Sequence, residues 1–264
     1  MSLETGWSVG GKRLIFTVGT GRNGTGYVSH LLHGLPGICC LHEPDPQFYT
    51  VMRAAQSDPA VADRFLCEQK FPAIRRVHEP VYFETSHLAC KGFLEPLMAR
   101  GVPFDLVILR RDPVLVATSL FLLGTVPART ELGLQFLLSP VDPGVLRLEN
   151  WQELHDWALC YWYCLEIERR AQIYKERLAG LGGRLLETSV GILKTDKGLS
   201  ELLSFLDQDA KTLSTNQALR ARRTEVVNDK TEHKSADRSR MIDPALKAAL
   251  VREVNERVSR LSPG

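Results

Sequence analysis

The 264-residue sequence contains no apolar run long enough to span a membrane and no apolar leader near its start. It also lacks an excess of charge of one sign, since 33 lysines and arginines face 31 aspartates and glutamates, for a net charge of +2. This balance gives no overall attraction to nucleic acid or to an anionic membrane. We therefore expect a soluble, cytoplasmic protein without nucleic-acid or membrane partners, in which any anion site is local.

No two cysteines have the Cys-x-x-Cys spacing of a typical zinc site. The six cysteines are an even number, which would allow three disulfides. However, a chain of this length with 44% hydrophobic residues can build a large core without such bonds. We therefore favour free thiols in a reducing compartment and predict no metal site.

Short β-rich runs alternate with helical patterns along the chain, without internal repeats. The clearest strand is 105–109, which is apolar on both faces, as is typical of a central parallel strand. Further strand candidates are 13–18, 37–41, 80–83, 88–91 and 184–187, and helical patterns cover 27–33, 47–76, 92–100, 151–178, 198–207 and 243–261. The alternation predicts a single α/β domain over residues 1–264, with three layers and a central parallel sheet.

Two segments stand apart by composition. Residues 126–150 contain several prolines and glycines and are predicted to form a long loop or lid. Residues 219–240 are polar and charged and are predicted to be mobile; the arginine cluster 220–223 either closes over a bound phosphate or is only solvated. In the pattern of 151–178, the aromatic residues form one stripe, which favours core packing over an apolar ligand pocket.

The run Gly19-Thr-Gly-Arg-Asn-Gly-Thr-Gly26 lies between the first strand and the helix that begins near Tyr27. Glycines let the backbone approach an anion closely, and the N–H groups at a helix N-terminus point toward it. A nucleoside-triphosphate loop would continue with Lys-Ser or Lys-Thr, but this sequence has Thr25 and Gly26 there. The pattern therefore indicates an anion site with Arg22 as its basic residue. The alternative is a glycine-rich turn with a surface arginine.

A second basic element follows strand 105–109. Arg111 stands at its end, and Ser119 lies two turns into the helix that begins near Pro113. Ligands of open α/β sheets bind beyond the carboxyl ends of the strands, so Arg111 and the glycine-rich loop are expected to face one crevice. The planar fork of an arginine suits a phosphate. The alternative is that Arg111 only pairs with Asp112.

Together these segments resemble the sulfotransferases that use 3′-phosphoadenosine 5′-phosphosulfate (PAPS), especially the bacterial and heparan-type members. Residues 22–25 (Arg-Asn-Gly-Thr) are similar to the Lys/Arg-Ser-Gly-Thr core of that family. Arg111, followed eight residues later by Ser119, is similar to its pair for the 3′-phosphate. Weaker similarities are Tyr-x-Glu-x-Ser at 82–86, and Arg-x-x-Glu at 184–187 followed by Leu-x-x-Phe-Leu at 202–206.

The resemblance implies a P-loop NTPase-like sulfotransferase fold. It also implies transfer of a sulfuryl group from PAPS to a hydroxyl or amine of a small-molecule acceptor, with release of 3′-phosphoadenosine 5′-phosphate (PAP) and no metal. The residues that it assigns to the donor are Arg22, Asn23, Gly24, Thr25, Gly26, Tyr27, Arg111 and Ser119. Asn23 and Gly26 depart from the family pattern because each lacks a hydroxyl at its position, and Tyr27 is the one aromatic beside the loop for stacking on adenine.

A hydroxyl acceptor needs a general base. His42-Glu43-Pro44 ends the second strand and should open on the same crevice. The family offers a precedent for either residue type, and the position just after the second strand favours Glu43 over His42. Arg22 is predicted to stabilise the charge of the transition state. Two alternatives remain: Glu43 pairs with an arginine and only orders the site, or His87 is the base.

Two other functions stay open at this point. One is a P-loop kinase-like phosphotransferase. The missing lysine and hydroxyl at positions 25 and 26 argue against it. The other is a protein that binds PAPS without catalysis, which the departures at Asn23 and Gly26 would fit. Contacts to the acceptor are expected from residues 45–80 and 120–150, because such loops surround the crevice.

Overall fold

The computed structural model describes residues 5–209, 211–225 and 241–259. Its strands are β1 (Arg13–Val18), β2 (Ile38–Leu41), β3 (Val81–Glu84), β4 (Asp105–Leu109) and β5 (Leu185–Thr188). They form one five-stranded sheet in the order β2-β3-β1-β4-β5. Every neighbouring pair is parallel. The predicted α/β domain with a central parallel sheet is confirmed.

Helices flank the sheet. In chain order they are α1 (Thr25–Leu32), α2 (Tyr49–Ser57), α3 (Pro59–Phe65), α4 (Phe71–Arg75), α5 (Leu94–Ala99), α6 (Pro113–Leu122), α7 (Glu131–Phe136), α8 (Asp156–Ala179), α9 (Val190–Leu193), α10 (Asp196–Phe205), α11 (Thr212–Thr215), α12 (Gln217–Thr224) and α13 (Pro244–Ser259). Single turns of 3₁₀-helix cover Thr5–Trp7 and Trp151–Glu153, and a π-helical turn covers Leu66–Lys70. In the part of the chain that the structure describes, no helix has both the length and the apolar character needed to cross a membrane.

The strand side chains alternate between two hydrophobic cores. Leu14, Phe16 and Val18 of β1 face the larger core, to which α6 and α8 contribute, while Ile15 faces the smaller core with α1 and α10. Both faces of the sheet are therefore covered, which explains why β1 and β4 are almost continuously apolar.

Residues 88–91, predicted to be a strand, form turns between β3 and α5. The backbone N–H of Leu88 is bonded to Ser86 Oγ at 3.1 Å, and that of Lys91 to Leu88 O at 2.9 Å. The apolar character of this run comes from burial beneath the cleft described below, and not from pairing in the sheet. The prediction of a strand here was wrong.

The predicted helical segment 47–76 consists of several short helices. Pro59 and Pro72 stand in the first turns of α3 and α4. Proline lacks a backbone N–H and is tolerated in the first turn of a helix, and the extended Asp58 before Pro59 separates α3 from α2. At Pro72 the backbone stays helical through the π-helical turn, since Lys70 and Phe71 both have right-handed helical conformations.

The segment 126–150 contains α7 between irregular stretches, and it is tied to the body of the protein at both sides. Arg53 donates hydrogen bonds to the carbonyl oxygens of Leu134 at 3.1 Å and Leu137 at 2.6 Å. On the other side, Trp162 Nε1 donates to Leu146 O at 2.9 Å.

Of the predicted mobile segment 219–240, residues 219–225 are described and lie mostly in α12; residues 226–240 lie outside the described part of the chain.

The aromatic stripe of α8 is part of the core, as predicted. Trp157, Trp162, Tyr163 and Tyr174 are all fully buried or nearly so. Their polar atoms have partners, which removes the cost of burying them. The hydroxyl of Tyr163, for example, donates to Thr20 O at 2.8 Å and so connects α8 to the glycine-rich loop.

Candidate active site

A cleft of about 940 Å³ opens beyond the carboxyl ends of β1 and β4. From β1 the chain runs to β2 on one side of the sheet, and from β4 it runs to β5 on the other. Loops diverge at such a point and leave a crevice, which is the usual ligand site of an open parallel sheet. The glycine-rich loop, Arg111 and the loops that follow β2 and β3 all line this cleft.

The floor of the cleft is the glycine-rich loop and the N-terminus of α1. Gly24 is the N-cap residue, with φ 103°, and no side chain caps the helix. A Cβ atom at Gly24 would lie 2.2 Å from Val190 Cγ2, so both the backbone conformation and the packing require glycine. The first N–H groups of an α-helix have no acceptor within the helix. Those of Thr25, Gly26 and Tyr27 are therefore placed to bind an anion.

Asn23 fixes the loop to the sheet. Its side chain is only 2% exposed, and Nδ2 donates to Leu109 O at the end of β4 at 2.9 Å. The amide also fills the space beside Gly19, where a Cβ atom would lie 1.8 Å from Nδ2. Asn23, which replaces the serine of the family pattern, thus has a structural role. Only its backbone N–H remains to contact a ligand.

Arg22, Arg111 and Ser119 meet at the mouth of the loop. Arg22 has φ 57°, and its Nε donates to Ser119 Oγ at 3.0 Å. The guanidinium of Arg111 donates to the carbonyl oxygen of Arg22. The alternative pairing of Arg111 with Asp112 is not found, because the Asp112 carboxylate caps α6 by accepting from two backbone N–H groups. The convergence of the two basic elements on one crevice is as the sequence predicts.

Neither arginine has a carboxylate within ion-pair distance among the described residues. Burial, and next the positive charge of Arg111, lower the pKa of Arg22. The adjacent Arg110 differs, since it pairs with Glu168 and with Glu187, the latter at 3.0 Å. Two uncompensated guanidinium groups thus face the cleft, and a bound anion would relieve their repulsion.

Tyr27, predicted as the residue that stacks on adenine, is buried beneath the cleft. It is 5% exposed, and its hydroxyl donates to Arg223 O at 2.9 Å. The ammonium of Lys194 lies 5.7 Å from the centre of its ring. An adenine ring that stacks on Tyr27 would have to displace Lys194. Lys194 also lines the cleft, and sequence reasoning missed it.

His42 and Glu43 follow β2 and lie in the wall of the cleft, together with His87 after β3. His42 Nδ1 is 2.6 Å from Thr85 O. A carbonyl oxygen only accepts, so Nδ1 carries a proton, and in the neutral form of the ring the lone pair is on Nε2. Glu43 pairs with neither Arg22 nor Arg111; its Oε1 lies 3.5 Å from His87 Nε2.

A buried ion pair holds the loop that carries Glu43. Lys70 Nζ lies 2.8 Å from Glu84 Oε1 at the end of β3, and both side chains are fully buried. The same ammonium donates to Pro46 O at 2.8 Å and to Pro44 O at 3.2 Å. Tyr82 completes the cluster by donating to Glu84 Oε2 at 2.6 Å. Sequence reasoning singled out the Tyr-x-Glu pattern but missed Lys70, whose only signal was a lysine within an apolar helical pattern.

The opposite wall of the cleft is apolar. It consists of side chains from α6, α7 and the residues after them: Leu120, Leu123, Leu132, Phe136 and Leu137. The expectation that residues 120–150 reach the site holds for this part of the segment. No residue of 45–80 lines the cleft, because that segment packs beneath it as α2, α3 and α4.

No protein-family model matches the chain, and no curated protein matches it significantly.

We expect sulfate to bind between the arginines and to stabilise the fold, because a ligand that binds only the native state raises stability by mass action. Thermal unfolding at increasing sulfate, with chloride at matched ionic strength as reference, should show a rise in Tm. Arg111→Ala should lose most of this rise. Arg110→Ala is the matched control and should keep it, since Arg110 is already paired. Equal sulfate responses in the two variants would contradict the assignment of the anion site.

Proposed function

We propose that this cleft binds PAPS and transfers its sulfuryl group to a hydroxyl or amine of a small-molecule acceptor, releasing PAP. The observation that carries the proposal is the pair Arg22 and Arg111, which face the cleft without a carboxylate partner among the described residues, beside the uncapped N-terminus of α1. PAPS has two separated anionic ends, and this arrangement offers two adjacent anion sites. A P-loop NTPase-like sulfotransferase fold is part of the same proposal.

In the proposed complex, the 5′-phosphosulfate lies on the glycine-rich loop. The backbone N–H groups at the start of α1 bind its oxygens, and Arg22 contributes a positive charge. The 3′-phosphate lies at Arg111 and Ser119. Ser119 Oγ accepts a bond from Arg22, so its own O–H remains available to donate to that phosphate.

The reaction requires positioning and charge stabilisation more than covalent help. The acceptor oxygen forms a bond to sulfur while the bond from sulfur to the 5′-phosphate oxygen breaks, and the proton of the acceptor passes to a base. Negative charge develops on the leaving oxygen, next to Arg22 and the N–H groups of Gly24 and Thr25. Donors that are fixed in advance stabilise this charge without reorganising.

Two residues are placed to accept the proton. We assign the role to Glu43, which follows β2 and faces the cleft, and keep His42 as the alternative. The lone pair of His42 Nε2 satisfies the chemical requirement for a base, because Nδ1 is held as an N–H by Thr85 O. The acceptor would lie against the apolar wall of the cleft, with its nucleophile toward these side chains.

Transfer of a phosphoryl group from a nucleoside triphosphate fits these residues less well. Thr25 and Gly26 supply neither the lysine that contacts the β- and γ-phosphates nor a helical Ser or Thr hydroxyl in the position that holds Mg²⁺. Binding of PAPS without turnover is the outcome that the acceptor panel described below would reveal.

The identity of the donor is tested by ligand-induced stabilisation. PAP should raise the Tm of the protein without added metal, and EDTA should leave the shift unchanged, because arginines and backbone N–H groups provide the binding. ATP with Mg²⁺ should give a much smaller shift. Strong stabilisation by ATP with Mg²⁺ and none by PAP would show that the cleft serves another nucleotide.

The identity of the base is tested by Glu43→Gln, which keeps the shape of the side chain and removes its basicity. With PAPS and a panel of hydroxyl acceptors, this variant should bind PAP normally and transfer roughly 10²–10⁴-fold more slowly, the usual effect of losing a general base. His42→Asn should be slowed less. The assignment is wrong if His42→Asn abolishes turnover while Glu43→Gln retains it. Absence of turnover by the wild-type protein over the whole panel would favour a binding protein.

A further inference from the structure

Lys91 is fully buried in the turn that follows β3, directly behind the cleft. Its Nζ lies 2.9 Å from His87 Nδ1, donates to the carbonyl oxygen of Phe136, and lies 5.0 Å from the centre of the Tyr163 ring. No carboxylate of the described residues is within ion-pair distance of it. A buried lysine with three neutral acceptors in place of a counter-ion is unusual. The proposed reaction gives this lysine no role.

The three contacts determine where the proton of His87 lies. An ammonium group has three N–H donors and no acceptor. Phe136 O and the face of the Tyr163 ring take two of them, so the third points at His87 Nδ1, which must then offer its lone pair. The imidazole proton is left on Nε2, which lies 3.5 Å from Glu43 Oε1, a buried oxygen without a hydrogen-bond partner among the described residues.

The surroundings also disfavour a second proton on the ring. Burial, and next the charges of Lys91, His42 and Arg22, hold the pKa of His87 well below its ordinary range. Burial likewise lowers the pKa of Lys91 to about 7, while Glu43 favours its charged form. The charged and titratable groups around this unit are Glu43, His42 and Arg22 near His87, and Cys90, Arg53 and Arg170 around Lys91.

We propose that Lys91 is a positioning residue that holds His87 neutral, with its proton on Nε2 and directed toward the Glu43 carboxylate. His87, the third candidate for the base, is then the N–H donor nearest to the unpaired Glu43 Oε1. Because Lys91 also binds Phe136 O, it joins the apolar wall of the cleft to the residues beneath the acceptor. The consequence for catalysis rests on the proposed role of Glu43, whereas the proton position does not.

The proton position can be measured directly in the unmodified protein. We would label the histidines with ¹⁵N, assign His87 by the loss of its signals in His87→Gln, and record long-range ¹H–¹⁵N spectra. At about pH 6, where an ordinary histidine is mostly protonated, His87 should be neutral with the proton on Nε2. A protonated ring, or a proton on Nδ1, at this pH would overturn the proposal, whatever the activity of the protein.

Lys91→Met keeps the length of the side chain and removes the donor. His87 should then lose its fixed tautomer and become protonated at a higher pH, by about one unit, because a neighbouring positive charge is gone. Lys12→Met is the matched control: Lys12 also donates to two backbone carbonyl oxygens, those of Val77 and Glu79, but lies away from the cleft. An unchanged His87 in Lys91→Met would overturn the proposal.

Measurements of turnover distinguish a failure of this inference from a failure of the proposed function. If sulfuryl transfer is found, Lys91→Met should lower kcat about tenfold, less than the roughly 10²–10⁴-fold effect of losing the general base itself, with PAP affinity unchanged. The acid limb of its pH profile should move to higher pH, because a protonated His87 neutralises Glu43. A lower kcat without this shift would reduce Lys91 to a structural residue. If PAP does not bind while His87 has the expected tautomer, only the proposed function fails.

Discussion

The site depends on the electrostatic repulsion between two guanidinium groups that the fold holds together. Arg111 leaves the end of β4 and binds the carbonyl oxygen of Arg22, and Arg22 in turn binds Ser119 of α6. No carboxylate of the described residues compensates them, although Arg110 next to them has two. Keeping like charges this close costs free energy that the folded core has to supply. A bound anion would offset this cost, and the proposed donor site follows from that anion.

The remaining elements of the cleft are fixed by buried polar groups. Asn23 binds the glycine-rich loop to the end of β4, the Lys70–Glu84 pair holds the loop after Glu43, and Lys91 holds His87. Each of these groups is desolvated and has specific partners, so a change in one partner leaves the other unsatisfied. The loops that line the cleft acquire in this way the rigidity that a preorganised site would require.

The sheet and the glycine-rich loop before α1 were predictable from sequence because their signals are local. The continuous apolar run of β4 predicts a buried parallel strand. The glycines from Gly19 to Gly26 predict a turn with an unusual backbone conformation. The inward position of Asn23, the covered ring of Tyr27 and the buried Lys91 were not predictable, since each depends on what the fold brings against it. The buried run 88–91 that contains Lys91 is mostly apolar, which predicted a strand, but it forms turns. The residues that line the cleft were thus easier to predict as a group than were the contacts that each of them makes.

The claim that the two arginines form adjacent sites for a donor with a 3′-phosphate is tested most directly by calorimetric titration without metal. The account predicts that PAP binds at least about tenfold more tightly than adenosine 5′-phosphate, since one charge-assisted hydrogen bond contributes about 1.5–3 kcal/mol. Arg111→Ala should remove most of this preference and leave the affinity for adenosine 5′-phosphate nearly unchanged. Equal affinity of the wild-type protein for the two nucleotides would contradict the account.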